Sequence, residues 1–378
     1  MTTDNSDRID AVIGALRNQE PGAVPVLTAT VDLGTGSDGR PVALRMLRQA
    51  VREAIDRGHP DDSHASRRSL DEDAAALEEI VTEATARGAA GLIYAGAAEE
   101  GFRLTLETPV APRNAVDIGE RPALFELVRY RYLAGPGAVL VSANVREVDL
   151  SRVRYATVED TEAMTPPTLL EKHKQRTKVE GRGSIDGSGG HSVNRVQQYV
   201  DAQRALFAAD AAQEIARFVA PGEMIILAGV DEARSAILGR LSEPLRAAVV
   251  EAPALIPTQD ERSRSAHLTD LVVTEQQRRG DLAAAAWLSG EHGERAIGGI
   301  EAALAACEQG RLGTLILHED AVDHFGTAVD ARSYAPQHDP AAVEALLRVA
   351  LDQAADIIIT RDPRALAEHQ GVLGIARY

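Results

Sequence analysis

The chain has 378 residues, with 40 Lys and Arg against 57 Asp and Glu, so its formal net charge at pH 7 is −17. At about 100 to 200 residues per domain, this length predicts two or three domains. An apolar fraction of 44% and a charged fraction of 26% are typical of folded proteins and argue against wholesale disorder. The acidic balance argues against indiscriminate nucleic-acid binding, because such affinity comes from neutralising phosphates.

The single cysteine, Cys307, excludes an internal disulfide framework and a cysteine-rich zinc module, which favours a reducing compartment. The N-terminus lacks the basic flank and apolar run of a signal peptide, and no stretch approaches the roughly 20 apolar residues of a membrane helix. We therefore expect a soluble cytoplasmic protein. Aromatic residues make up 3% of the chain, too few for a platform that stacks single-stranded RNA.

The first section, residues 1–133, mixes strands and helices. The apolar run at 24–33 predicts a buried strand, and apolar residues at helical spacing over 70–88 predict a helix that Gly88 ends. Two further runs, 90–96 and 102–109, predict a strand pair around an acidic turn. The proline-bearing stretch 108–122 predicts a loop. A Gly/Pro cluster at 133–137 marks the boundary with the next section.

The remaining chain continues as α/β. Residues 138–150 predict two short strands, 193–219 a long helix, and 224–228 a strand followed by a turn at Gly229 and a helix from Asp231. That turn has one glycine and no P-loop lysine, so we do not expect a nucleotide site there. Beyond 262, helices and strands alternate to the C-terminus. The pattern predicts three α/β domains, 1–133, 134–256 and 262–378, the second with a mixed sheet and the third a small α/β sandwich.

A basic segment in the second section reverses the sign of the whole molecule. All three lysines of the chain fall within seven residues, and between 172 and 195 the positive side chains outnumber Glu180 and Asp186 by four. These positive side chains are Lys172, Lys174, Arg176, Lys178, Arg182 and Arg195. We expect them to contact RNA phosphates.

A glycine-rich run overlaps the basic segment. Five glycines lie within residues 181–190, more than one turn requires, and they end in the adjacent pair Gly189 and Gly190 before His191. Such a pair permits positive φ and lets the backbone approach a bulky ligand closely. The alternative is a flexible surface insertion with incidental charge.

This combination of a basic lead-in, a glycine pair, a polar residue and a long arginine-bearing helix resembles the G-G-Q loop of archaeal and eukaryotic class-1 release factors. The order of the neighbouring motifs is also similar. A strand pair precedes the loop, a strand, turn and helix follow it, and the chain ends in a strand, GVLGIARY, that resembles the family's last one. The resemblance runs from about residue 136 to 378 and implies a release-factor architecture, with Gly189, Gly190 and His191 as the catalytic loop.

Two departures from the family limit what the resemblance implies. His191 stands where the family has glutamine, so the backbone amide could stabilise an oxyanion while the glutamine's role towards water is in doubt. The imidazole could in principle orient or deprotonate water. The first section has no N-I-K-S element and no lysine at all, so stop-codon decoding is not expected. The chain then resembles Pelota-type rescue factors and their bacterial relatives, including Balon-type hibernation factors.

Three functions remain open at this point. The first is codon-independent peptidyl-tRNA hydrolysis on stalled or idle ribosomes, the second is non-catalytic occupation of the A site and peptidyl-transferase centre, and the third is a stress-associated α/β protein with another partner. For the first two, the resemblance implies the large-subunit rRNA and peptidyl-tRNA as partners and leaves open whether a translational GTPase delivers the protein. Neither DNA nor a membrane is expected.

No cofactor and no metal are expected. The run after the strand at 313–318 carries His318, Glu319, Asp320, Asp323 and His324, which could bind a metal, but polar residues are common in a loop that follows a strand. A serine hydrolase is not indicated, since the chain has no G-x-S-x-G elbow. Cys307 lies on an apolar helix face and is expected in the core.

Overall fold

The computed structural model describes residues 5–34, 47–49, 51–53, 63–144, 147–155, 157–164, 189–220, 222–255, 261–322 and 340–378. Within these residues, helices and strands are mixed throughout and three separate sheets form, which confirms the prediction of an α/β multidomain protein. The chain forms two compact units, one combining Met1–Gly135 with Val272–Tyr378 and the other comprising Pro136–Leu271. The three domain boundaries expected from the sequence stay a prediction.

The helices of the described residues are α1 (Asn5–Arg17), α2 (His64–Arg87), α3 (Phe125–Ala134), α4 (Gly189–Phe218), α5 (Asp231–Leu238), α6 (Glu243–Ala247), α7 (Glu261–Leu288), α8 (Ile300–Glu308), α9 (Pro340–Asp352) and α10 (Pro363–His369). The strands are β1 (Val26–Asp32), β2 (Gly91–Ala97), β3 (Phe102–Thr108), β4 (Ala115–Gly119), β5 (Ala138–Ala143), β6 (Val148–Arg154), β7 (Thr157–Met164), β8 (Met224–Gly229), β9 (Val249–Ala252), β10 (Ala296–Gly298), β11 (Leu312–His318), β12 (Asp356–Thr360) and β13 (Val372–Ala376).

The first sheet has the order β3-β2-β1-β4 and is antiparallel throughout. One face is covered by α2, whose Leu70, Leu77 and Val81 join the core of this sheet. The helix begins after Ser63, whose hydroxyl accepts a hydrogen bond from the Ser66 amide, and ends at Gly88 in the left-handed region with φ 81°. A side-chain cap at the start and a positive-φ glycine at the end are both encoded locally.

The third sheet has the order β10-β13-β11-β12, with β11 and β12 parallel and the other pairs antiparallel. Trp287 of α7 lies in its core, packs edge-on against His369, and donates a hydrogen bond from Nε1 to the Gly374 carbonyl at 2.8 Å. Burial of the indole with its one polar atom satisfied makes this helix an integral layer of the sheet.

Helix α9 joins the N-terminal and C-terminal sections of the first unit through two side chains one turn apart. The Glu344 carboxylate accepts hydrogen bonds from the amides of Leu124 and Phe125, at 2.8 and 3.0 Å, where α3 begins. The Arg348 guanidinium donates to the carbonyls of Leu16 and Arg17, at 3.2 and 3.1 Å, where α1 ends, and also to the carbonyl of Pro122. These groups satisfy helix termini that have no intrahelical partner.

The second unit contains a mixed sheet in the order β7-β6-β5-β8-β9, as expected for this section. The strands β5, β8 and β9 are parallel, and β5, β6 and β7 are antiparallel. Its core is built from the buried faces of the sheet, α4 and α5. At the end of β8, Gly229 has φ 109°, and a Cβ there would lie 1.8 Å from the Ala143 carbonyl oxygen. Only glycine allows the β8–α5 turn to cross the end of β5.

Two local expectations were wrong. The stretch 108–122, expected as a loop, contains β4, because β1 offers an open edge on which Ala115–Gly119 can pair. The helix expected at 193–219, with His191 at its opening, begins at Gly189, so the glycine pair expected in the preceding loop lies in its first turn.

Candidate functional site

The C-terminal half of α4, its root, packs on the mixed sheet of the second unit, the middle sheet. Its buried face packs against the strands β5, β6 and β8. The fully or nearly buried residues of this face are Ala208, Ala211, Ala212 and Ile215. Three of the four are alanines, so the helix lies close to the sheet with little side-chain interdigitation.

The last turn of α4 is held by Arg152 of β6. Its Nη2 donates a hydrogen bond to the Phe218 carbonyl at 2.9 Å, and the guanidinium carbon lies 4.9 Å from the centroid of the Phe218 ring. Its Nε is 3.7 Å from the carboxylate of Glu223, which also accepts a hydrogen bond from the Ala220 amide at 2.7 Å. A cation at the C-terminal end of a helix is favoured by the helix dipole, and the ring contact adds to it.

A shallow apolar cleft of about 260 Å³ separates the middle of α4 from α5. Arg204 and Glu232 line it and form an exposed ion pair between the two helices. Leu206 and Val230, on the same two segments of chain, are 58% and 48% exposed. Along α4, Arg204 is the residue nearest the N-terminal end for which the structure describes a side-chain contact.

The N-terminal end of α4 carries the predicted catalytic residues. Gly189, Gly190 and His191 are its first three residues, and the helix is 30 residues long, about 45 Å at 1.5 Å per residue. Gly189 therefore lies about 28 Å along the helix axis from Ala208, where burial on the sheet begins. The first four amides of a helix have no intrahelical acceptor, so they are available to an external one.

The other predicted RNA-contacting residues are placed less completely. Arg195 belongs to the second turn of α4. Lys172, Lys174, Arg176, Lys178 and Arg182 lie outside the described residues.

Charge is distributed unevenly between the two units. The second unit, Pro136–Leu271, has 16 Lys and Arg against 19 Asp and Glu, a net charge of −3. The first unit has 24 against 38, a net charge of −14. Most of the acidity of the protein therefore lies outside the unit that carries the glycine pair.

The remaining candidate chemistries find little support in the described part of the chain. His318 is buried, and its Nδ1 accepts a hydrogen bond from the Asp320 amide at 3.1 Å, while Asp323 and His324 lie outside the described residues. Within the described ranges, no group of three His, Cys, Asp or Glu could hold a metal ion. Burial raises the pKa of the Cys307 thiol, which disfavours the nucleophilic thiolate.

The β8–α5 turn is also a poor phosphate site. Asp231 and Glu232 occupy the first turn of α5, and Arg234 folds back onto Asp231. Acidic side chains there occupy and repel what a helix N-terminus would otherwise attract. Among the helices that the structure describes, none is long and apolar enough to cross a membrane.

Arg152 could not be singled out from the sequence. It lies 66 residues from Phe218, and an arginine in a strand is unremarkable by itself. Only the folded sheet brings the guanidinium to the end of the helix.

Comparison with known proteins finds similarity to one class of translation factors. Residues 142–277 match the family described as bacterial archaeo-eukaryotic release factor family 10. No curated protein matches the chain.

Three solved structures show low similarity to the chain. The archaeal translation termination factor aRF1 is 13% identical, with 99% of this chain aligned to 98% of that chain at a TM-score of 0.26. Pelota of Archaeoglobus fulgidus is 14% identical over 76% of this chain and 79% of its own, with a TM-score of 0.36. Dom34 of S. cerevisiae, described as a termination-like factor that interacts with Hbs1, is 10% identical over 73% of each chain, with a TM-score of 0.37.

The matched residues comprise most of the middle sheet and the whole of α4 with its glycine pair. Through residues 142–277, the chain is therefore similar to bacterial archaeo-eukaryotic release factor family 10.

Proposed function

We propose that this protein binds the ribosomal A site and acts on stalled or idle ribosomes by codon-independent hydrolysis of peptidyl-tRNA. The catalytic residues in this proposal are Gly189, Gly190 and His191. One observation carries it: these residues form the N-terminal end of a 30-residue helix inside the segment that matches the release-factor family.

The chemistry needs a donor for the oxyanion that develops when water attacks the peptidyl ester. Backbone amides at the start of α4 are suited to this, because they lack intrahelical acceptors and lie at the positive end of the helix dipole. A donor held in place before the reaction stabilises the transition state without needing a particular side chain. The amide of His191 takes this role in the proposal, and its imidazole orients or deprotonates the water.

The length of α4 supports an active end that reaches into a confined site. The glycine pair lies about 28 Å along the axis from the buried part of the helix. A narrow helical rod can enter a channel that would exclude the sheet behind it.

The charge distribution supports RNA contact by the second unit. Its net charge is −3 against −14 for the rest of the chain, and the segment 172–195 within it carries a local charge of +4. We propose that Lys172, Lys174, Arg176 and Lys178, together with Arg182 and Arg195, neutralise rRNA phosphates. The proposed partners are the large-subunit rRNA, peptidyl-tRNA and, for delivery, a translational GTPase.

The N-terminal section supports independence from the codon. It has no lysine and no N-I-K-S element. Its helices α1 and α3 are capped by Arg348 and Glu344 of the C-terminal section, so it is integrated into the first unit. In the proposal, this section is a fixed part of the first unit and does not read the codon.

His191 favours a second candidate function, a hibernation factor that fills the peptidyl-transferase centre without catalysis. The family has glutamine at this position, and an imidazole differs from a carboxamide in the geometry of its donors and acceptors. A loop that no longer positions water could still occupy the site and protect it.

The deciding experiment measures release of labelled peptide from ribosomes that carry a peptidyl-tRNA in the P site and an empty A site. The proposal expects release by the wild-type protein well above a buffer control, at any codon in the A site. Binding to the same ribosomes without release identifies the hibernation factor. Failure to sediment with ribosomes at low salt contradicts both functions and leaves the third, a protein with another partner.

A further inference from the structure

Arg152 contacts the C-terminal end of α4 in three ways: at the Phe218 carbonyl, at the Phe218 ring, and in the turn that follows the helix. The guanidinium donates to the Phe218 carbonyl at 2.9 Å and stacks over the Phe218 ring at 4.9 Å. Its Nε lies 3.7 Å from Glu223, whose other carboxylate oxygen accepts the Ala220 amide. One side chain therefore fixes the last residue of the helix and the connection to β8 together.

Besides Phe207, Ile215 and Phe218, the face of α4 that packs on the sheet carries few large side chains. Three of the four most buried side chains on this face are alanines, whose short side chains form shallow ridges that do not lock into the sheet. The ion pair of Arg204 with Glu232 lies in solvent, where such pairs contribute about 0 to 1 kcal/mol. The hydrogen bond and ring contact at the C-terminal end of α4 therefore contribute directly to the angle between the helix and the sheet.

A small change at this root becomes a large displacement at the other end. A tilt of about 5° about the buried part of the helix, about 28 Å from Gly189, moves the first turn by about 2 Å. A misplacement of about 1 Å in a reacting group can reduce a rate on the order of 100-fold.

We propose that Arg152 is a positioning residue that sets the angle of α4 and thereby places Gly189, Gly190 and His191. The inference rests on the proposed function for its catalytic consequence, but its structural part does not. Arg152 holds the end of α4 that lies opposite the glycine pair, about 45 Å away.

The structural part is tested by the distance between two spin labels in the full-length protein. In a Cys307→Ala background, labels at Ser192→Cys and Ser235→Cys report the position of the helix start relative to α5. Arg152→Met keeps the aliphatic stem and removes the guanidinium, and it should broaden the distance distribution by several ångström. Arg217→Gln is the matched control, because it loses only an exposed ion pair with Glu214 on the same helix, and it should leave the distribution unchanged.

The catalytic part is tested by single-turnover peptide release. Arg152→Met should lower the rate at saturation about 10- to 100-fold while ribosome affinity stays within about twofold of wild type. Arg152→Lys should recover part of the rate, because an ammonium can still donate to the Phe218 carbonyl. A thermal melt confirms that each variant is folded.

Each result has a distinct meaning. An unchanged label distribution in Arg152→Met overturns the positioning role, whether or not the protein hydrolyses peptidyl-tRNA. A broadened distribution with an unchanged release rate also overturns it, because the angle of α4 would then not matter for catalysis. Absence of release by the wild type contradicts the proposed function alone, and the label distances still decide the role of Arg152.

Discussion

The glycine pair is an unusual choice for the start of a helix. Glycine in a helix is less favourable than alanine by roughly 0.5 to 1 kcal/mol, yet Gly189 and Gly190 occupy the first turn of α4. Two residues that weaken the helix they begin are explained if the backbone there must approach a bulky ligand more closely than a Cβ would allow.

This gives opposite expectations for folding and for activity. Gly189→Ala and Gly190→Ala should each leave the stability of the protein unchanged or raise it by up to about 1 kcal/mol, measured by urea unfolding. The same variants should reduce peptide release severely, because an added Cβ would hold the backbone away from the peptidyl ester. Alanine variants with full release activity contradict a conformational role for the pair.

Substitutions at His191 distinguish a mechanism in which the backbone amide acts alone from one in which the imidazole orients or deprotonates water. If the amide alone acts, His191→Ala should reduce the single-turnover release rate less than the glycine variants do. If the imidazole handles water, His191→Ala should abolish release, and His191→Gln should restore it by recreating the family's side chain. Release measured between about pH 5.5 and 8 adds a check, since an imidazole base adds a pH dependence to the wild-type rate that the His191→Ala variant should lose.

Among the secondary-structure elements, the contact between α7 and β12 depends on one glycine. A Cβ on Gly280 would lie 1.9 Å from the carbonyl oxygen of Ile359 and 3.2 Å from the hydroxyl of Tyr132. That hydroxyl donates a hydrogen bond to the Gln276 carbonyl at 3.1 Å, and burial raises the pKa of Tyr132 to about 12. The helix, the strand and α3 therefore meet where no side chain fits.

Gly280→Ala should destabilise the protein by about 1 to 3 kcal/mol, because overlap with backbone atoms outweighs the better helix propensity of alanine. Gly14→Ala is the matched control, since Gly14 lies in α1 and a Cβ added there would have no atom of another part of the protein within 4 Å. It should stabilise by up to about 1 kcal/mol. Urea unfolding of both variants measures the difference, and equal effects contradict the close approach.

A substitution in α9 tests whether the N-terminal and C-terminal sections of the first unit unfold together. Burial lowers the pKa of the Arg348 guanidinium, which donates only to backbone carbonyls of the N-terminal section among the hydrogen bonds described for it. Arg348→Met should destabilise the first unit by about 2 to 3 kcal/mol, because buried carbonyls lose a charged donor.

Calorimetry should then show one of two transitions moving down, while the transition of the second unit stays in place. Ile215→Ala, in the core of the second unit, should move the other one. Arg87→Met removes an exposed arginine that pairs with Glu83 and Glu107. It should change the unfolding free energy of either unit by no more than about 0.5 kcal/mol. Separate shifts of an N-terminal and a C-terminal transition contradict one cooperative unit.

Over the full chain, the contrast between a nearly neutral second unit and an acidic first unit predicts how binding depends on salt. Replacing Lys172, Lys174, Arg176 and Lys178 together by Gln should weaken ribosome binding and flatten the plot of log affinity against log salt by up to about three to four units of slope. The fold should be unaffected, as far-UV circular dichroism checks. Unchanged affinity and slope remove the electrostatic argument for an RNA partner.

Local sequence signals determined the α/β class and most of the helices and strands. The helix that ends at Gly88, the strand pair β2 and β3, and the β8 strand with its turn at Gly229 were predicted, since caps, turn glycines and apolar periods act over a few residues. The order of the motifs also predicted a resemblance to release factors, and residues 142–277 match bacterial archaeo-eukaryotic release factor family 10.

Tertiary contacts decided the rest. The strand β4 forms because β1 provides an edge, and its own five residues, which end in a glycine and lie in a proline-bearing stretch, carry too weak a signal. Helix α1 has Ile9, Ile13 and Leu16 at helical spacing, but its C-terminal end is satisfied by Arg348, more than 330 residues later in the chain.

The same holds for the site. The pair of Arg152 with Phe218 is invisible to any local pattern, because 66 residues separate them and neither type is unusual where it lies. Patterns in sequence report what neighbouring residues do to each other. Which side chain caps which distant helix is settled only when packing of the sheets brings their ends together.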